Sequence, residues 1–392
     1  MKYILILFSI LSVFTIDAQP TFDNVYRNDT FSTFYWQSNT RFKKVIVDDD
    51  VYYLWGTGTD SSHQVSPTNP WYETGLLTKM DTNGNVLNHR LYGNYFNRFF
   101  SFRFGMEKTD DNNFLISGLH IDTIGNRLFL MKINEVGDTL WKQSYEATIL
   151  QNSMGFQNLR KTTDGGAIVL AYQIDFLNPD HSVSTPIVIK VDSLGVEQWR
   201  KTYYRFDGYS GSVKDILEVD NKYILLRGRS KGSSESDWDY KVIASVEEFD
   251  SVGNLISLYD SPINEYTAGF KLIQTQDKGF VVCGSKGTQI PSTNPNKPIV
   301  YTERYIFKLD SNLQFLWDYK ISPLVQYENF RDIEELSDGS LIAVGNNIIT
   351  YPDNAGLLLN ADSSDRLGYA VKFSSNGTLL WERNYKRWYN TM

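Results

Sequence analysis

Short apolar runs alternating with turn residues fill the chain from about residue 42 to 385, and no long segment shows a helical period. Two kinds of run recur in fixed order. The first follows an Asp-Gly type turn and ends in a small residue: Asp164-Gly165-Gly166 precedes Ala167 to Ala171, and Asp338-Gly339 precedes Leu341 to Gly345. Asp277-Lys278-Gly279, Asp220-Asn221 and Asp111-Asn112-Asn113 hold the same place in other copies. The second run ends in Lys, passes a D-S-x-G type turn and continues into a run carrying Trp and often Tyr. Lys190 to Trp199 matches Lys132 to Trp141 position for position, and Lys308 to Trp317 and Lys372 to Trp381 repeat it. Leu313 replaces the turn glycine in one copy. The copies at Lys79 to Gly84 and Phe249 to Gly253 lack the Trp.

The turn glycines 84, 137, 195 and 253 are spaced by 53, 58 and 58 residues, and the equivalent positions 313 and 377 follow at 60 and 64. Two short apolar runs joined by residues that tolerate positive φ form a β-hairpin. Each repeat therefore reads as two hairpins, four antiparallel strands. Four-stranded units at this period predict an all-β fold, a β-propeller of about six blades within residues 42–392. Radial packing also hides sheet edges that an open sheet would expose. Phe34-Tyr35-Trp36-Gln37, in the segment 19–41, reads as one more Trp-bearing strand, either closing the ring or standing for a seventh blade.

The stretch Asp192 to Trp199 resembles the tryptophan-docking repeat of quinoprotein-type propellers, with one residue fewer between Asp and Gly. The whole unit, D-G-G-φ-φ-φ-x-G followed by φ-φ-K-x-D-x-x-G-x-x-x-W, is similar to that of secreted bacterial propeller-repeat proteins over about residues 42–385. The resemblance implies that Trp141, Trp199, Trp317 and Trp381 are structural and dock one blade on the next. It implies a fold that hosts many functions, not one activity.

Residues 1–18 read as a signal peptide: Lys2 is the charged start, Tyr3 to Ile16 the apolar stretch, and Ala18 a small residue before cleavage. No cysteine follows, which removes a lipoprotein anchor, and no other apolar run predicts a membrane span. The expected location is secreted or cell-surface. A net charge of −8 argues against a nucleic-acid partner. Cys283 is the sole cysteine, so no intrachain disulfide forms, and its apolar run predicts a buried, inert thiol.

The connections between second and third strands are long: Thr59–Thr74, His120–Arg127, Gln173–Thr185, Arg229–Asp239, Ser285–Glu303 and Asn346–Leu367. Alternate connections of an antiparallel meander emerge at opposite ends, so the long loops share one face, and variable loops on a rigid scaffold carry function. They bear Trp71, Tyr72, Phe176, Trp238, Tyr301 and Tyr351, beside Asp175, Asp237, Asp239, Asp353 and Asp365. Aromatics beside carboxylates suit a glycan or protein partner. Asp237-Trp238-Asp239 lacks the ligand spacing of a calcium loop, so no metal is expected. His63, His89, His120 and His181 have no metal-ligand spacing, and no G-x-S-x-G, H-E-x-x-H or P-loop appears. The turn aspartates are turn formers. No cofactor is expected.

These observations lead to a non-catalytic binding propeller as the main expectation, taking a protein or glycan on its long-loop face. Two alternatives stand beside it. One is a propeller glycosidase or lyase with acidic residues, drawn from different blades, in the central pocket. The other is a structural part of an envelope assembly.

Overall fold

A computed structural model describes residues 41–59, 73–92, 98–99, 105–121, 126–146, 153–175, 183–203, 209–231, 241–262, 266–290, 299–321, 329–350 and 364–385. The chain divides into two compact units, Met1–Thr202 and Tyr203–Met392. The signal peptide 1–18, the segment up to residue 40 and its Phe34–Gln37 run lie outside the described residues.

The first unit holds three antiparallel sheets. The first contains β1 (Arg41–Asp48), β2 (Val51–Thr59), β3 (Glu73–Asp81) and β4 (Val86–Tyr92). In the second the opening strand is split into β5 (Arg98–Phe99) and β6 (Gly105–Lys108), both pairing β7 (Phe114–Ile121), followed by β8 (Asn126–Ile133) and β9 (Thr139–Tyr145). The third has β10 (Ser153–Lys161), β11 (Ala167–Asp175), β12 (Val183–Val191) and β13 (Glu197–Thr202).

The second unit repeats the plan. Its sheets are β14 (Tyr209–Val219), β15 (Lys222–Lys231), β16 (Lys241–Phe249) and β17 (Leu255–Asp260); β18 (Tyr266–Gln274), β19 (Phe280–Ile290), β20 (Ile299–Leu309) and β21 (Phe315–Ile321); and β22 (Asn329–Glu335), β23 (Leu341–Thr350), β24 (Ser364–Phe373) and β25 (Leu379–Tyr385). Every sheet is a meander in chain order. Six such sheets make the chain an all-β, six-bladed β-propeller.

Local chemistry explains the repeat. Between β12 and β13 the Asp192 N–H donates to Val196 O at 2.9 Å and the Gly195 N–H to Asp192 O at 3.0 Å. The Asp192 carboxylate accepts the N–H groups of Leu194 and Val196, both at 2.9 Å. This fixes a three-residue hairpin loop whose last position needs positive φ, and Gly195 supplies it at 78°. The repeating Lys joins the two hairpins of a sheet. Lys190 Nζ donates to Asp164 Oδ2 at 2.7 Å and to Val191 O at 2.8 Å. Lys132–Asp111, Lys308–Asp277 and Lys372–Asp338 repeat the pair.

Successive blades lock through the same turns. Trp141 joins the core formed by Leu115, Leu130, Phe156 and Val169, and its ring lies over Gly195, where an added Cβ would come within 2.7 Å of it. The Tyr145 hydroxyl donates to Gly195 O at 2.6 Å. Trp317 lies over Gly377 at the same separation. The fourth and fifth blades depart together: Ser257 stands where four blades have Trp and the first has Asn88, and Leu313 stands where the other turns have glycine. Leu313 keeps φ at 60° and fills the gap itself, 3% exposed among Leu226, Val246 and Tyr259.

Strands reach further into the long connections than sequence predicts. Thr288 pairs with Tyr301 and Ile290 with Ile299, so Tyr301 belongs to β20 rather than to a loop. Asp175 and Asp365 likewise pair within ladders. The β-branched Ile290, Ile299 and Val300 sustain pairing where polar neighbours suggest a loop.

Candidate functional site

Within each unit opening strands of neighbouring blades pack together, β6 with β10 in the first and β18 with both β14 and β22 in the second. These strands carry a shared irregularity. The register slips between Val213 and Asp215, between Gly269 and Lys271, and between Phe330 and Asp332. Each slip is a β-bulge, which leaves one residue outside the ladder and re-aims its side chain. The bulged residues are Lys214, Phe270 and Arg331. Lys214 Nζ is 5.8 Å and Arg331 Cζ 4.6 Å from the Phe270 ring centroid, so one aromatic ring gathers two cations.

The next residue of each strand forms a second row. Lys271 Nζ lies 3.9 Å from Asp215 Oδ2 and 3.6 Å from Asp332 Oδ1. The two carboxylates are not equivalent. Asp215 is buried and accepts the N–H of Ile216 at 3.0 Å and that of Leu272 at 3.2 Å, the second of which ties β18 to β14. Asp332 is exposed over more than half of its side chain. Cys283, which pairs with Lys271 across the sheet, is fully buried. Burial, with Asp332 nearby, pushes its thiol well above the ordinary range.

In the first unit the positions that correspond to this second row are Lys44, Gly105 and Asn158. That row has one charge. Its strands hold Lys108–Asp48 at 2.6 Å and Arg160–Glu107 at 3.6 Å further along. The alternating cation and carboxylate row is a property of the second unit.

A second polar group marks the fourth blade. One equivalent position on the second strand is small in five blades, Gly56, Gly118, Ala171, Gly284 and Gly345, each opposite a large residue of the third strand. In the fourth blade Arg227 stands there, opposite Ser245. Its guanidinium pairs with the buried Glu247 at 2.9 Å and lies 4.3 Å from the Tyr203 ring centroid. The Tyr203 hydroxyl donates to the other Glu247 oxygen at 3.0 Å. Burial, reinforced by the Glu247 charge, raises the Tyr203 hydroxyl well above its usual range. This group is internally satisfied, as a buried ion pair must be.

Of the residues expected from sequence to bind, Trp71, Tyr72, Phe176, Asp237, Trp238, Asp239 and Tyr351 lie outside the described residues, as do Asp353, His63 and His181. The side chain of Tyr301 does too, with those of Asp175, Asp365 and His120. Trp199 and Trp381 are half-buried on their outer strands, paired with Lys190 and Lys372. Among the described residues no three His, Cys, Asp or Glu side chains converge to hold a metal ion. No described helix is long and apolar enough to cross a membrane. Sequence reasoning missed the two rows on β14, β18 and β22. The available signal was the run of charged residues at one repeat position, Asp215, Lys271 and Asp332.

The fold and these rows define the chain as a β-propeller with charged and aromatic side chains on its opening strands. No protein-family model matches the sequence, and no curated protein does. Solved structures are similar in fold. A polysaccharide lyase described as PL25 ulvan lyase gives a TM-score of 0.51 at 9% identity, covering 87% of this chain and 82% of the lyase. The same type of lyase bound to -[GlcA(1-4)Rha3S]- gives 0.50 at 8% identity, with 87% and 82% covered. The GH93 α-L-arabinofuranosidase of Fusarium graminearum gives 0.44 at 12% identity, covering 80% of this chain and 89% of the enzyme. At these identities the likeness is one of fold. It goes against the main expectation drawn from sequence, a non-catalytic binding module, because the fold is shared with a polysaccharide lyase.

Proposed function

We propose that the chain is a propeller enzyme acting on a polysaccharide, as a lyase or glycosidase, with its site on β14, β18 and β22. One observation carries the reading: the Asp215–Lys271–Asp332 row, assembled from three blades beside Lys214, Phe270 and Arg331, whose alternating charges are absent at the matching positions of the first unit, Lys44, Gly105 and Asn158. Cleavage of a glycosidic bond requires a group that donates or takes a proton, held beside groups that bind the sugar. Asp332, the exposed carboxylate, is the proton-transfer group. Lys271, 3.6 Å away, holds that carboxylate in place. Asp215, its oxygens engaged by backbone N–H groups, is a positioning residue for Lys271. The shared fold with a polysaccharide lyase supports the same reading. Export by residues 1–18 fits a polymer too large to enter a cell.

The test is turnover of a panel of polysaccharides, read by new reducing ends and by the ultraviolet absorbance of unsaturated products. Absorbance marks elimination; reducing ends without absorbance mark hydrolysis. The expected result is activity on at least one polymer, lost in Asp332→Asn while the thermal midpoint holds. Full activity in Asp332→Asn would move the site elsewhere.

A further inference from the structure

We infer that the site takes an anionic glycan, a polymer whose sugar units carry carboxylate or sulfate groups, and that Lys214 and Arg331 hold those groups. The inference rests on the reading above and names the substrate class of that site.

Position supplies the first argument. Lys214, Phe270 and Arg331 are all bulge residues, the one place on each opening strand where the side chain leaves the ladder. Three consecutive blades therefore aim their non-ladder side chain in series, and two of the three are cations drawn to the ring of the third. A bulge used only to bend a strand has no need of charge. The third blade makes the point, since its bulged residue is the neutral Gln157. The first blade has Lys43 at its bulge, with a side chain outside the described residues. The pair of cations about one ring belongs to the second unit.

Charge supplies the second. The chain carries a net −8, so a row with cations at both ends runs against its average. Lys271 lies between Asp215 and Asp332, within 4 Å of each. The six side chains carry three cations and two anions, and Arg331 is exposed. Both outer cations lie against the Phe270 ring. Guanidinium binds carboxylate and sulfate through paired N–H donors, which gives Arg331 the larger share.

The experiment measures binding and turnover on three polymers: polygalacturonate for carboxylate, carrageenan for sulfate and arabinan as the neutral control. Binding is read by affinity electrophoresis at low and high salt, with Arg331→Gln and Lys214→Gln beside the full chain. The expected result is binding of an anionic polymer about tenfold tighter than arabinan, weakened by salt and lost about tenfold in Arg331→Gln. Preference for polygalacturonate or for carrageenan identifies the anionic group. Equal or better action on arabinan, unchanged in Arg331→Gln, overturns the inference and leaves the proposed enzyme class standing. No turnover of any polymer, with Arg331-dependent binding intact, overturns the enzyme class and leaves the anionic ligand standing. A folded Phe270→Ala protein, checked by circular dichroism, separates the row from general stability: binding must fall while the thermal midpoint stays within a few degrees.

Discussion

Replacing Ser257 by Trp and Leu313 by Gly tests how consecutive blades lock together. In two junctions an outer-strand Trp covers the next blade's turn glycine, and a Cβ there would meet the ring at 2.7 Å. At the junction of the fourth and fifth blades both partners differ, with Leu313 occupying the space from the other side. Leu313→Gly alone removes a buried leucine, a loss of about 2–5 kcal/mol by the leucine-to-alanine scale. It also relieves a left-handed conformation costing about 1–2 kcal/mol. The net expectation is destabilisation by about 1–3 kcal/mol. Ser257→Trp alone drives an indole against Leu313, and overpacking costs about 1–3 kcal/mol. It further removes the hydroxyl that donates to Glu248 at 2.6 Å, a loss of about 1 kcal/mol. The double variant restores the arrangement of Trp317 over Gly377 and regains most of both losses. Urea unfolding followed by circular dichroism gives the four stabilities of the cycle. A favourable coupling of about 2 kcal/mol or more is expected. Strict additivity, with coupling below about 0.5 kcal/mol, would refute the lock.

Breaking the buried pair with Glu247→Gln or Arg227→Ala is expected to cost about 3–5 kcal/mol, because each leaves a charge or dipole buried without its partner; denaturant midpoints check this. Asp338 is held down to about 2 by the Ser340 hydroxyl and N–H, with Lys372 adding to it. Its folded value lies below the unfolded value, so its contribution is present above about pH 4 and disappears as pH falls towards 2. The stability difference between the wild-type chain and Asp338→Asn should shrink across that window, and a difference independent of pH would contradict it. Lys190→Met should destabilise the third blade, since it removes the ammonium that bonds both Val191 O and Asp164 Oδ2; hydrogen exchange localises the effect to β11 and β12.

Much of the fold was legible because its determinants are local. An Asp that caps its own turn, a glycine at positive φ three residues on, and a Lys that returns to the preceding turn all act within one repeat. The opening-strand rows were not legible for the opposite reason. Asp215, Lys271 and Asp332 meet only because β14, β18 and β22 pack side by side, and each comes from a different repeat. The bulge adds to the difficulty. It shifts side-chain parity by one, so a strict two-residue alternation assigns Lys214, Phe270 and Arg331 to the wrong face. Arg227 was visible as an exception, an arginine where five copies have glycine or alanine, but its partners Glu247 and Tyr203 lie 20 and 24 residues away. The limits of strands were misjudged at Tyr301 because β-branched residues outside the obvious apolar runs extend the ladder.

The paired exchange at Ser257 and Leu313 bears on how such a chain can be rearranged in evolution. A blade that ends in Trp and begins with a glycine turn is interchangeable, since any copy can be duplicated, deleted or recombined beside any other. The fourth and fifth blades are not. A duplicate of the fourth placed before a glycine turn leaves a hole, and a duplicate of the fifth placed after a Trp strand clashes. They can be inherited only as a couple, so recombination that adds or removes blades should respect the boundary before residue 209 and the one after residue 321, and never cut between 260 and 266.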